Sequence, residues 1–196
     1  MYRSRSKSTR RHSFRIIGVD DGAFRPARTK GQSTLLVAVL LQNSRILAIR
    51  VGRIAIDGTD ATQVLSSLVR RMRYDAILLS GISFAGFNLV DIKKLSQATR
   101  RPVIAITGGR PNNVAVRSAL QKHFPDWKER WSVVGNAGRL YSCKPLPKEP
   151  KLYFEVGGAS AAFAKRIIVS SARISRLPEP IRVAGLVAKG LTQLSG

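Results

Sequence analysis

Acidic residues are scarce in this chain. Only 11 Asp and Glu stand against 34 Lys and Arg, a formal net charge of +23 over 196 residues. Such an excess favours a polyanionic partner, of which nucleic acid is the commonest, over a basic character kept for solubility or for an anionic membrane surface. Cysteine is almost absent: the single Cys143 excludes an intrachain disulfide and any multi-cysteine zinc site, and is read as an inert thiol. The two histidines, His12 and His123, are too few for a histidine-rich metal centre. No serine–histidine or cysteine–histidine pair with a supporting acid is visible, so covalent catalysis has no support. No apolar run approaches the roughly 18 residues of a membrane span. These absences leave a cytoplasmic protein with no membrane partner as the expectation.

What is present is a globular pattern. Hydrophobic residues make up 44% of the chain, enough for one well-packed domain. Residues 1–13 hold five basic residues and no acid, and read as a disordered phosphate-binding arm. Residues 14–196 are expected to form a single domain. Residues 14–20 read as a first strand and residues 33–41 as a second, buried on both faces because the run is almost continuously apolar. Residues 45–56 read as a third strand, with Gly52 marking a bulge. Apolar residues recur at helical spacing over 59–73, with Arg70, Arg71 and Arg73 at the end that favours cations. A fourth strand at 75–80, a helix over 88–100, a fifth strand at 103–107 and a helix over 111–122 follow. Residues 125–150 are proline-rich and read as irregular. A further strand at 151–156 and helices over 159–170 and 180–194 complete the chain. Three strands in a meander followed by a right-handed crossover give a mixed α/β sheet of order 3-2-1-4-5, flanked by helices. That order brings the ends of strands one, three and four, hence Asp20, Asp57 and Ser80, to one edge.

Two adjacent acids, Asp20 and Asp21, end the first strand of this acid-poor chain. Like charges side by side are costly unless a cation lies between them, and a divalent metal is the usual solution. Asp-Asp-Gly is also ordinary turn chemistry. Asp57 suits a metal ligand or a helix cap, and Asp91 a functional acid or a helix start. Carboxylates at a strand end on a basic protein suggest a nuclease.

Longer stretches carry a resemblance. Gly18-Val19-Asp20-Asp21-Gly22-Ala23-Phe24 resembles the opening motif of the archaeal endonuclease dU family. The stretch Ser80-Gly81-Ile82-Ser83-Phe84-Ala85-Gly86-Phe87-Asn88-Leu89-Val90-Asp91 resembles a second block of that family. Pro178-Glu179-Pro180-Ile181-Arg182 resembles a third. That family is similar to endonuclease V and has a ribonuclease H-like fold. The resemblance implies a Mg2+- or Mn2+-dependent endonuclease acting in DNA repair on damaged DNA, at a deaminated base such as deoxyuridine. Against endonuclease V, Asp20 falls at the first catalytic aspartate and Asp57 at a glutamate. Ser80 falls at the second metal-binding aspartate, where a neutral hydroxyl is a poorer ligand for a hard cation. Gly158 stands where that enzyme carries a histidine, and Asn43-Ser44-Arg45-Ile46 has no counterpart of its proline-tyrosine wedge. The expected catalytic set is therefore Asp20, Asp57 and Asp91, with Asp21 as a fourth metal ligand. Two readings stay beside it: a nucleic-acid-binding module that has lost cleavage, favoured by Ser80, and a metal-dependent endonuclease for RNA.

Substrate contacts are expected around the same edge. Ser80 and Gly81 stand at the end of the fourth strand. Phe84 and Phe87 suit stacking on an extruded base or packing under the sheet, and Asn88 suits reading the base edge. Arg110, in the Gly-Gly loop before a helix, suits a phosphate contact, as does Lys93, which also reads as part of a solvated helix face.

Overall fold

A computed structural model describes residues 13–23 and 32–194. Residues 1–12 of the basic arm and Phe24 of the first motif lie outside the described residues. The meander forms as its patterning demands: β1 (Arg15–Asp21) pairs antiparallel with β2 (Ser33–Gln42), and β2 with β3 (Arg45–Ala55). Helix α1 (Ala61–Val69) then crosses over to β4 (Ala76–Leu79), which lies parallel to β1. A short hairpin, β5 (Ser83–Phe84) and β6 (Asn88–Leu89), precedes α2 (Ile92–Thr99) and β7 (Val103–Thr107). After α3 (Asn113–His123) and α4 (Trp127–Asn136) come β8 (Tyr141–Cys143) and β9 (Leu152–Gly157), then α5 (Ala161–Ser171) and α6 (Glu179–Leu194). The sheet order is β3-β2-β1-β4-β7-β9-β8. Its first five strands have the expected 3-2-1-4-5 arrangement, and β9 and β8 extend it by antiparallel pairing on β7.

Strand alternation divides the core into two layers. Ile17, Val19, Leu36, Ala38, Ile77, Leu79 and Ala105 face α1 and α2. Ile16, Leu78, Ile104 and Phe154 face α5 and the start of α6, while Val37, Val39 and Leu41 meet Ala184 and Ala188 of α6. Strand β2 is thus buried on both faces. Helix α6 comes so close to β1 that a Cβ on Gly18 would occupy the backbone of Pro180, which packs the third sequence block against the first.

Three expectations need correction. Residues 125–150 contain α4 and β8; the stripe of α4 is made by Trp127, Arg130 and Trp131, so aliphatic periodicity does not reveal it. The register shift lies between Leu40 and Leu41, and Gly52 pairs regularly with Leu36 while making room for Val64 and Leu68 of α1. The helix expected from 88 begins at Ile92, because Asn88 and Leu89 belong to the hairpin. No described helix is long and apolar enough to cross a membrane.

Candidate active site at the carboxyl ends of β1 and β4

Parallel pairing of β1 with β4 sets Ser80 beside Asp20: the Ser80 amide donates to the Val19 carbonyl at 3.2 Å, and its hydroxyl donates to Asp20 Oδ1 at 2.5 Å. The Asp21 amide donates to the same Oδ1 at 3.1 Å. Asp20 shares the α6 face of β1 with Gly18. A Cβ on Gly185 of α6 would lie 2.5 Å from Asp20 Oδ2, so only glycine lets the helix approach this carboxylate. Asp21 takes the opposite face, where its Oδ2 accepts the Ala85 amide at 2.6 Å. Burial pushes the Asp20 carboxyl above its ordinary range, against the Ser80 hydroxyl, the Asp21 amide and the Lys189 charge. Burial also raises Asp21; the Ala85 amide opposes this and the adjacent Asp20 charge adds to it.

The loop after β3 brings Asp57 to the same rim through the hairpin. Its amide donates to the Ala85 carbonyl at 2.8 Å, and its Oδ1 accepts the Phe87 amide at 2.8 Å. Ala85 thus links Asp21 on one side to Asp57 on the other. Behind this ring sits Arg130 of α4, which is only 7% exposed. Its Nη1 donates to the carbonyls of Gly58 at 2.9 Å and Phe87 at 2.7 Å, and its Nη2 to that of Asp57 at 2.9 Å. Its Nε pairs with Asp126 at 3.0 Å, and its guanidinium lies 4.3 Å from the Phe124 ring.

The family profile described as Endonuclease dU matches residues 12–192. The chain belongs to the endonuclease dU family. A UPF0215 protein of Pyrococcus furiosus is 36% identical over 92% of this chain and 93% of its own length. A protein of unknown function from Archaeoglobus fulgidus superposes with a TM-score of 0.80 at 27% identity, covering 91% of this chain and 98% of that one. Ciona intestinalis endonuclease V, solved with an inosine-containing DNA, gives a TM-score of 0.63 at 13% identity over 94% of this chain and 88% of that one. That likeness shows the fold, which is ribonuclease H-like.

Within this endonuclease dU family member, the second sequence block does several jobs at once. Asp91 is 2% exposed and caps α2: Oδ1 accepts the Lys94 amide at 2.9 Å, and Oδ2 accepts Asn136 Nδ2 at 2.9 Å. Asn88 is fully buried and latches the head of α1. Its Oδ1 accepts the Ala61 amide at 2.9 Å, and its Nδ2 donates to the Ala55 carbonyl at 2.8 Å and to Asp60 at 2.5 Å. Every polar atom of Asn88 therefore has a partner inside the protein, which leaves none to read a base edge. Phe84 is 1% exposed within the core beneath the sheet, out of reach of an extruded base. Phe87 is half-buried, with its ring 5.4 Å from Phe124. Gly81 is buried just past β4. Lys93 is exposed on the first turn of α2, and Arg110 is exposed in the loop before α3. Gly158 lies between β9 and α5, against Ser96, and it is Gly185 that stands over Asp20.

The four aspartates do not form one cluster. Among the described residues, no three Asp, Glu, His or Cys side chains are grouped to hold a single ion. Strand alternation sends Asp20 and Asp21 to opposite faces, and Asp91 is engaged as a cap. The acids that the rim offers a hard divalent cation are the two desolvated carboxylates of Asp20 and Asp21, each with an oxygen outside the hydrogen bonds just described. Hard carboxylate oxygens fit a divalent cation with water completing its shell, but because the two side chains leave β1 on opposite faces they fit an ion each and not one shared centre. Sequence reasoning missed Arg130 and Lys189. Asp126 and Arg130 at helical i, i+4 spacing were the available signal for the first; nothing local distinguishes Lys189.

Proposed function

We propose that this protein is a divalent-metal-dependent endonuclease that cuts DNA at or near deaminated bases such as deoxyuridine. The observation that carries the reading is the Asp20–Asp21 pair, buried enough to raise both carboxyls, at the carboxyl end of β1 beside β4. Asp20 and Asp21 are the proposed ligands of Mg2+ or Mn2+, each on its own face of β1. The chemistry such an ion supplies when bound is Lewis-acid polarisation of a phosphodiester and activation of water. The chain's own part is positioning. Ser80 holds Asp20 through Oδ1, Gly185 closes one side of Oδ2, and Lys189 offers a positive charge to the same carboxylate. Asp57 and the 83–89 hairpin shape the other side of the rim, and the net positive charge draws the phosphate backbone in, with an affinity that falls as salt rises. In this assignment Asp91 and Asn88 act as structural supports of α2 and α1.

A specific observation favours a second reading. The Ser80 hydroxyl and the Lys189 charge both act on Asp20, and together they go some way to neutralise it without any metal. The protein would then bind nucleic acid without cutting it. The experiment is nicking of a uracil-containing duplex with and without Mg2+, comparing the native protein with Asp20→Ala. Magnesium-dependent nicking that the substitution abolishes is the expected result. Binding without nicking across Mg2+ and Mn2+ selects the second reading. Cleavage confined to ribose-containing strands selects RNA as substrate.

A further inference from the structure

The chain has only two tryptophans, Trp127 and Trp131, and both lie on α4. Neither joins the buried core clusters. Each indole instead has Arg117 of α3 above it, at 5.9 Å for Trp127 and 5.8 Å for Trp131, and Lys128 lies 5.9 Å from the Trp127 ring. Trp131 walls a groove of about 520 Å3 that also exposes Asn113, Val114, Arg117, Ser118 and Gln121. Val114 is 82% exposed there. Both indoles are half-buried, and of its described residues α3 buries only Leu120.

The groove combines an aromatic wall, a guanidinium, and amide and hydroxyl groups, and no acid lines it. That chemistry suits a ligand with a flat π face and a phosphate every few ångströms. A duplex hides its base faces, whereas a single strand presents them. We propose that this groove binds single-stranded DNA, stacking a base on Trp131 and pairing a phosphate with Arg117. The choice of DNA over RNA rests on the function proposed above; the groove itself does not depend on cleavage. Its position suits such a role, because Arg130, next to Trp131 in sequence, grips the carbonyls of Asp57, Gly58 and Phe87. The groove is therefore tied to the rim of the candidate active site through α4.

Tryptophan emission reports on α4 alone, so titration with a short oligo(dT) in EDTA tests the proposal without any cleavage. Emission should be quenched by oligo(dT) and far less by a duplex of equal length. Trp131→Ala should weaken binding at least about fivefold, as expected for the loss of one base–aromatic stack. Val114→Glu places a negative charge at an exposed position, which cannot disturb the core, and should weaken binding by a similar factor with an unchanged far-ultraviolet circular dichroism spectrum. Unaltered emission, equal quenching by the duplex, native affinity in both variants, or tighter binding of oligo(U) than of oligo(dT) would each overturn it. Asp20→Ala should bind oligo(dT) normally. A protein that never nicks therefore leaves the groove intact, and a groove that fails to bind leaves the nicking result standing.

Discussion

Replacing Arg130 with methionine should open the rim of the candidate site and cost stability out of proportion to one side chain. Arg130 makes three hydrogen bonds to backbone carbonyls, of Asp57, Gly58 and Phe87, and pairs with Asp126. Hydrogen bonds from a charged donor contribute about 1.5–3 kcal/mol each, but bonds sharing one guanidinium are not additive. The Asp126 carboxylate is 38% exposed, so no buried charge is stranded when the guanidinium leaves and the pair itself adds little. A total of about 3–5 kcal/mol, less than three full bonds, is the better guide here, because Asp57 is exposed and water can reach part of the loop once the guanidinium leaves. For a domain of this size a loss of about 3–5 kcal/mol lowers Tm by roughly 6–20 °C. Urea unfolding followed by far-ultraviolet circular dichroism gives the free energy. Hydrogen exchange at the Asp57 and Phe87 amides, which donate to Ala85 and to Asp57, gives the local consequence. Arg130→Lys should recover little, since a single ammonium cannot span three carbonyls as a planar fork does. A loss below about 1 kcal/mol with native exchange at both amides would show that the loop holds its own shape, and that Arg130 is not what holds α4 to the rim.

Other consequences follow from the same contacts. The Asp21 carboxyl is raised in the fold above its ordinary value of 3.8 by burial and by Asp20. A raised carboxyl stabilises the fold at low pH, and that stabilisation is lost as pH rises through the folded value. Asp21→Asn, which can still accept the Ala85 amide, should therefore melt higher than the native protein at neutral pH without metal, and the gap should close below 3.8. A lower melting temperature at neutral pH would contradict the assignment. Added Mg2+ should raise the native melting temperature and raise that of the variant less, by linkage of binding to folding. Asn88→Ala strips partners from the Ala61 amide, the Ala55 carbonyl and Asp60, and should cost about 2–4 kcal/mol in urea unfolding. A native-like midpoint with weakened DNA binding would instead return Asn88 to the substrate.

Much of the site region was ambiguous in sequence for a definable reason. Asp20, Asp57, Asp91 and Asn88 are all polar residues in or just after strands, and each suits a ligand, a cap or a latch equally well. The donors within reach decide among these roles, and they come from far along the chain. Asn88 meets Ala61 across 27 positions, Asp91 meets Asn136 across 45, and the Asp57 carbonyl meets Arg130 across 73. Phe84 and Phe87 show the same limit, three residues apart in one glycine-rich segment, one ring beneath the sheet and the other half-buried at the rim.

Local pattern alone determined the charge class, the strand meander, the doubly buried β2, the crossover to β4 and the placing of two acids at the end of β1. Those features depend on apolar period, on turn chemistry and on the handedness of a single connection, all of which act between near neighbours. Only the tertiary structure decided that Asp20 and Asp21 part to opposite faces, that α6 lies over one of them, and that Arg130 ties α4 to the rim. These are outcomes of packing between segments that meet only after the chain has folded, and their energetics depend on desolvation that no short stretch of sequence can impose.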